Sequence, residues 1–165
     1  AAGIDPVYRQ YLAASAARGL LSIDSPAGAE AFERLALSAD SNARAAVEQA
    51  LALDPPVSSA ATLVRISTDG RMSQALDPAL DKVRAQLARM TVPHAERERC
   101  AAGLRDSLPH LLGNTAALRT GLDMFALSAT DADRPLFERL LAVPDLTEEQ
   151  RQSLRGAWRL AHPLD

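Results

Sequence analysis

Apolar residues recur along most of the chain at the spacing of an amphipathic helix. The clearest segment follows Asp77-Pro78, where apolar residues share one face and charged residues occupy the other. The apolar positions of that segment are Leu80, Val83, Leu87 and Met90. The pattern predicts a helix that begins at Asp77-Pro78 and ends before Pro93, since proline cannot continue a helix.

Capping residues and prolines divide the chain into short helical segments. Asp5-Pro6 and Ser25-Pro26 each combine a capping side chain with a proline at the first helical position. Gly19 is expected to end the first helix, and Thr147 with Gln150 forms a capping box at the start of the last one. Such signals predict about eight or nine short helices.

Residues 57–76 have the least regular pattern. Thr62-Leu63-Val64-Arg65-Ile66 suits either a short strand or a short helix. A single strand would have no partner in an otherwise helical chain, so we predict a short helix that ends near Asp69-Gly70.

Two thirty-residue blocks of the chain resemble each other. Residues 25–54 and 115–144 align without a gap and share nine identities, where about three are expected by chance. Their apolar positions keep the same helical phase, and Thr115 matches Ser25 as an N-cap. The match predicts a duplicated helical hairpin, with convergence of two Ala- and Leu-rich helices as the alternative.

The composition favours helices over strands. Alanine and leucine supply 33 and 25 of the 165 residues, whereas β-branched and aromatic residues are few. We predict an all-α protein, either an irregular multi-helix bundle or a short stack of helical hairpins, forming a single domain over residues 1–165. Because the chain does not begin with methionine, a processed form and a fragment of a larger protein are both open.

The charge balance and the single cysteine restrict the partners and the compartment. Eighteen basic and 21 acidic residues give a net charge of −3, which argues against nucleic acid as a partner. No stretch approaches the ~18 apolar residues of a membrane span.

One cysteine excludes an internal disulfide, so we expect a reducing compartment such as the cytoplasm, or export to a host cell if the chain belongs to an effector. The oligomeric state is left open.

Cys100 is the one candidate catalytic residue that the sequence offers. A base would have to lie within hydrogen-bond reach of its thiol, and only His94 and His110 are near in sequence. His94 is six residues away, about 120° around a helix and ~9 Å along it, and His110 lies beyond Pro109. The pattern therefore favours a buried, apolar role for this cysteine.

The sequence shows no metal or cofactor motif. His94, His110 and His162 are too far apart for ligand spacing, and each adjoins a proline. Asp131 and Asp133 fall at a helix start, where carboxylates stabilise the helix dipole. We predict neither a metal nor a cofactor.

Four arginines are the candidate binding residues. They are Arg89, Arg97, Arg99 and Arg105. Acidic residues interleave with them at Glu96, Glu98 and Asp106, so an ion-paired, solvated face is favoured over an anion-binding site.

Tyr8, Tyr11, Leu12 and Ser15 lie at helical spacing within the first predicted helix. Each tyrosine combines an apolar ring with a polar hydroxyl group. We predict core or edge packing for the two tyrosines, in preference to ligand contact.

The preferred functional hypothesis is a helical protein-protein interaction module that presents a groove or face to another protein, as a domain of a larger bacterial protein. The repeated hairpin and the lack of a catalytic motif motivate it. The alternative is a bacterial effector-type enzyme domain, transferase or ubiquitin-ligase-like, with a dispersed site, although an enzyme is less favoured. A third hypothesis is a small-molecule sensor with a pocket near Met124, Phe125 and Trp158.

Overall fold

The computed structural model describes residue 3 and residues 5–23, 25–89 and 91–161. Within these residues it contains nine α-helices, four short 3-10 helices and no strand, which confirms the predicted all-α, multi-helix fold. The α-helices are α1 (Pro6–Ser22), α2 (Pro26–Ala36), α3 (Ser41–Ala52), α4 (Ala60–Ile66), α5 (Ser73–Leu87), α6 (His94–Ser107), α7 (Thr115–Phe125), α8 (Arg134–Leu141) and α9 (Glu148–Ala161). The 3-10 helices are Val57–Ser59, Gly70–Met72, Leu108–Leu111 and Asp131–Asp133. Met90 and His162, both used in the sequence predictions, lie outside the described residues.

Three of the predicted helix starts are confirmed by their capping hydrogen bonds. The carboxylate of Asp5 accepts from the amide of Val7 at 2.8 Å, and Ser25 Oγ accepts from the α2 amide at position 28 at 3.1 Å. At the start of α9, Thr147 Oγ1 accepts from the Gln150 amide at 3.2 Å, and Gln150 Oε1 accepts from the Thr147 amide at 2.9 Å. This is the predicted capping box.

The predicted helix start at Asp77-Pro78 is wrong. Helix α5 begins at Ser73 and passes through Pro78, directly after the 3-10 helix Gly70–Met72, which Asp69 caps. Burial of Leu76, which is 1% exposed, keeps the preceding turn helical. That burial offsets the one backbone hydrogen bond that Pro78 cannot donate.

Two smaller helix boundaries also differ from prediction. Gly19 lies inside α1, which continues to Ser22, and the Ile23 amide closes the last turn by donating to the Gly19 carbonyl at 3.0 Å. The N-cap of α7 is Asn114 rather than Thr115, because the Asn114 side chain accepts from the third amide of the helix, at 3.0 Å.

Helix α4 lies at the centre of the bundle. Six of its seven residues are buried, and it packs against α2, α5, α6 and α7. The segment that was ambiguous in the sequence is therefore helical, as predicted, and its uniform burial explains the missing amphipathic pattern.

One side chain of α4 reaches the surface and joins two neighbouring helices. Arg65 forms an ion pair with Glu33 of α2, and its Nη1 donates to Ser107 Oγ of α6 at 2.8 Å. The Ser107 hydroxyl in turn donates to the carbonyl of residue 103 at 2.8 Å. The guanidinium thus fixes how α2 and α6 are placed against α4.

The two similar blocks have matching helix positions. Block 25–54 contains α2 and α3, and block 115–144 contains α7 followed by Asp131–Asp133 and α8. An equivalent hydrogen bond ends the first helix of each block, from Ser38 to Leu35 at 3.3 Å and from Ser128 to Phe125 at 2.9 Å.

The packing of the two blocks differs. Helices α2 and α3 pack against each other and against α1, whereas α7 and α8 both pack against α9. The helix positions agree with the predicted hairpin repeat, and its origin by duplication stays a prediction.

A membrane span needs a helix that is both long and apolar, and none of the helices in the described residues meets these two conditions.

Two glycines provide a matched test of this packing. A Cβ on Gly28 would lie 3.0 Å from the backbone oxygen of Leu20, whereas a Cβ on Gly156 would meet nothing within 4 Å. We expect Gly156→Ala to stabilise the fold by about 0.5–1 kcal/mol, since alanine favours a helix interior. We expect Gly28→Ala to destabilise it by about 1 kcal/mol or more, because the α1 backbone must move.

Urea unfolding of the two variants measures both effects. Stabilisation by both substitutions would show that α1 and α2 do not approach as closely as described.

Candidate functional site

Helix α1 is attached to the bundle along one side only. Two of its 17 residues, Ala17 and Leu21, are buried, and it packs against α2 and α3. The contact with α3 uses small side chains, among them Ala46 and Ala50, so the helices approach closely. Tyr8, Tyr11 and Leu12, three larger side chains of α1, remain exposed.

The outward side of α1 is apolar. Val7, Tyr8, Tyr11 and Leu12, here called the α1 face, are 78%, 56%, 66% and 43% exposed. A shallow groove beside Tyr11 separates it from Leu53, which is itself 52% exposed. Contiguous exposed apolar side chains of this kind are typical of interaction surfaces.

Of the two predicted positions for the tyrosines, the core is wrong, and both lie at the edge of the bundle. Both rings are more than half exposed, because the alanine-rich side of α1 makes the helix contact instead. The sequence did contain a signal for this surface. Pro6–Ser22 carries only two charged residues, Arg9 and Arg18, and so lacks the polar face of an ordinary surface helix.

The structure places Cys100 in the core, where it is 1% exposed. Burial, with a smaller effect from the Glu96 carboxylate, raises the pKa of the Cys100 thiol to about 12. His94 and His110 both lie exposed at the surface. A catalytic role for Cys100 stays a prediction, and it would require the core to open.

Two of the four candidate binding arginines, Arg97 and Arg105, have hydrogen-bond partners in different places. The Arg97 guanidinium donates to the backbone carbonyl of Arg89, while Arg105 Nε donates to Asp133 at 2.6 Å. Arg99 lines a different groove, beside Arg65. Anion binding by these residues stays a prediction.

Among the described residues no group of His, Cys, Asp or Glu is arranged to hold a metal ion.

The ion pair between Arg105 and Asp133 joins α6 to the start of α8. The Asp133 side chain is only 1% exposed, and it also accepts from the Thr130 amide at 2.8 Å. Burial alone would raise the pKa of Asp133, but hydrogen bonds from Arg105 and Thr130 and the Arg105 charge outweigh it, so the pKa is lowered. Asp133 is thus a structural carboxylate, and with Thr130 it forms the capping box of the 3-10 helix Asp131–Asp133.

We expect Asp133→Asn to lower the free energy of unfolding at pH 7 by about 2 kcal/mol. This figure is smaller than for a fully buried ion pair, because Arg105 is partly exposed and solvent screens its charge. A carboxyl group with a lowered folded pKa stabilises above its unfolded pKa of about 4, and the effect is lost as the pH falls through the folded value. The difference between the variant and the original chain should therefore shrink below pH 4.

Urea unfolding at several pH values measures this difference, with Asp123→Asn as an exposed control. A difference that persists undiminished at low pH would contradict an ionised Asp133.

We expect Cys100 to react slowly with a thiol reagent such as 5,5′-dithiobis(2-nitrobenzoate) in the folded protein at pH 8. Its reaction should accelerate by at least a hundredfold in denaturant, because unfolding exposes the thiol and restores an ordinary pKa. Rapid labelling of the folded chain would instead reveal an accessible thiolate and favour the enzyme hypothesis.

The pocket predicted near Met124, Phe125 and Trp158 is not inside the bundle. Met124 and Phe125 are fully buried, while Trp158 is half-buried at the edge of a groove between α8 and α9.

Comparison of the chain with protein-family models, with curated proteins and with solved structures finds no match.

Proposed function

We propose that this chain is a protein-interaction module whose α1 face binds an apolar helix of a partner protein. The observation that carries the proposal is the exposure of Val7, Tyr8, Tyr11 and Leu12 on a helix with almost no charge. A helix that is apolar on most sides is ordinarily covered. Here the bundle covers one side and leaves the other to a partner.

The residue types at this face favour a protein ligand. Tyrosine is enriched at the energetic centres of protein interfaces, because its ring buries a large area while its hydroxyl group can hydrogen-bond. Helix α1 is about 25 Å long by the rise per residue, so a partner helix can lie along several turns. The net charge of −3 favours a protein over nucleic acid.

The charges of α1 indicate the chemistry of the partner. Arg9 and Arg18 are the only charged residues between Pro6 and Ser22. A partner helix with an apolar stripe at positions i, i+3, i+4 and i+7 and acidic residues beside it would complement this surface. Electrostatic complementarity of this kind determines the orientation of the bound partner helix more than its affinity.

Selection of displayed helical peptides against the immobilised full chain tests the proposal. We expect the enriched peptides to share an apolar stripe with flanking Asp or Glu. Tyr11→Ala should weaken their binding at least tenfold, as expected for an aromatic side chain at an interface centre. Arg18→Glu should weaken it as well, because it replaces attraction by repulsion.

Leu160→Ala is the matched control, since Leu160 is 73% exposed but lies on α9. Peptides that bind equally to the Tyr11→Ala and Leu160→Ala variants would contradict binding at α1. Concentration-dependent dimerisation that Tyr11→Ala abolishes would show that a second copy of the chain, and not another protein, covers the face.

A further inference from the structure

A second surface lies at the other end of the chain, between α8 and α9. The two helices leave an open groove of about 580 Å³, within the size range of small-molecule sites. Phe137, Leu141 and Trp158 form its apolar part. Its charged residues are Arg134, Arg155, Arg159 and Glu138. We call this surface the α8–α9 groove.

Aromatic contacts hold the tryptophan of the groove in place. The Phe137 ring stacks on buried Phe125 with centroids 5.8 Å apart, and it meets the Trp158 ring at 5.2 Å. The Arg134 guanidinium lies 5.4 Å from the centre of the Trp158 ring. Trp158 is therefore supported by the core on one side while it remains half-buried at the groove.

The α9 side of the groove carries positive charge. Arg155 and Arg159 line it, on a chain whose net charge is −3. Arg155 approaches Glu148 only at 4.0 Å, and both side chains are more than half exposed, so this pair contributes little. Arg159 forms no ion pair within the described residues.

We propose that the α8–α9 groove binds a small aromatic anion, with the ring system against Trp158 and a carboxylate between the arginines. A guanidinium presents paired donors that match a carboxylate, and a flat ring suits an aromatic floor. Helix α8 has eight residues and is about 12 Å long. This length suits one or two fused rings better than a bound helix.

Arg155 and Arg159 are the residues that would select the anion. They lie one helical turn apart on α9 and both line the groove with Trp158, so their guanidiniums can approach one carboxylate from the same helix face. The Arg134 guanidinium already lies over the indole ring, so the anion is assigned to the two α9 arginines. This site is separate from the α1 face, so either proposal can fail without the other.

Titration with 2-naphthoate and its neutral counterpart 2-naphthamide tests the inference. Trp158 is the only tryptophan in the chain, so its indole N–H gives one resonance in a ¹H–¹⁵N NMR spectrum of the full chain. We expect a saturable shift with 2-naphthoate, and binding of 2-naphthamide at least tenfold weaker, because it lacks the charge-assisted hydrogen bonds.

Two variants of equal charge locate the anion. Arg159→Gln should weaken 2-naphthoate binding at least threefold and leave 2-naphthamide unchanged. Arg139→Gln removes the same charge from an exposed position on α8 outside the groove, and it should change neither affinity by more than a factor of two. Arg155→Gln provides a second groove variant, and circular dichroism checks that each variant is folded.

Three results would overturn the inference. The first is the absence of a saturable indole shift with 2-naphthoate, and the second is equal affinity for 2-naphthoate and 2-naphthamide. The third is that Arg159→Gln and Arg139→Gln weaken 2-naphthoate binding equally. The last result would mean that overall charge, and not the groove, attracts the anion.

Discussion

The fold depends on covering α4, a helix that has no side suited to water. Six of its seven residues are buried, and its one charged side chain, Arg65, reaches outward to Glu33 and Ser107. Neighbouring helices must therefore surround α4, and α2, α5, α6 and α7 do so. Helix α1 packs in turn against α2 and α3, and α9 packs against α7 and α8.

Helix α1 has a similar shortage of charge but a different position. The bundle covers its alanine-rich side and leaves Tyr8 and Tyr11 outward, whereas it covers α4 on nearly all sides. The difference between the two helices is what motivates a partner for α1. The α8–α9 groove is a second, chemically distinct surface, since it combines Trp158 with arginines. The tyrosines and the tryptophan of the chain are thus concentrated at its two candidate surfaces.

Local interactions could be predicted from the sequence, and long-range ones could not. The caps at Asp5, Ser25 and Thr147 were predictable because each side chain bonds to an amide two or three residues away. The start of α5 was misplaced because burial of Leu76, which depends on tertiary packing, overrides the proline signal. The α8–α9 groove could not be predicted either, since it combines residues that are some twenty positions apart. The outward position of the tyrosines could not be predicted because it depends on how α1 packs against α3.

The bundle leaves the tyrosines of the α1 face uncovered. The chain has two tyrosines, Tyr8 and Tyr11, and both belong to this face. Incorporation of 3-fluorotyrosine therefore gives ¹⁹F NMR signals from the face alone. In the unbound chain, a soluble gadolinium chelate should broaden both signals about as strongly as it broadens free fluorotyrosine. A tyrosine signal that stays sharp would show that the chain covers its own α1 face, which would then not be open to a partner helix.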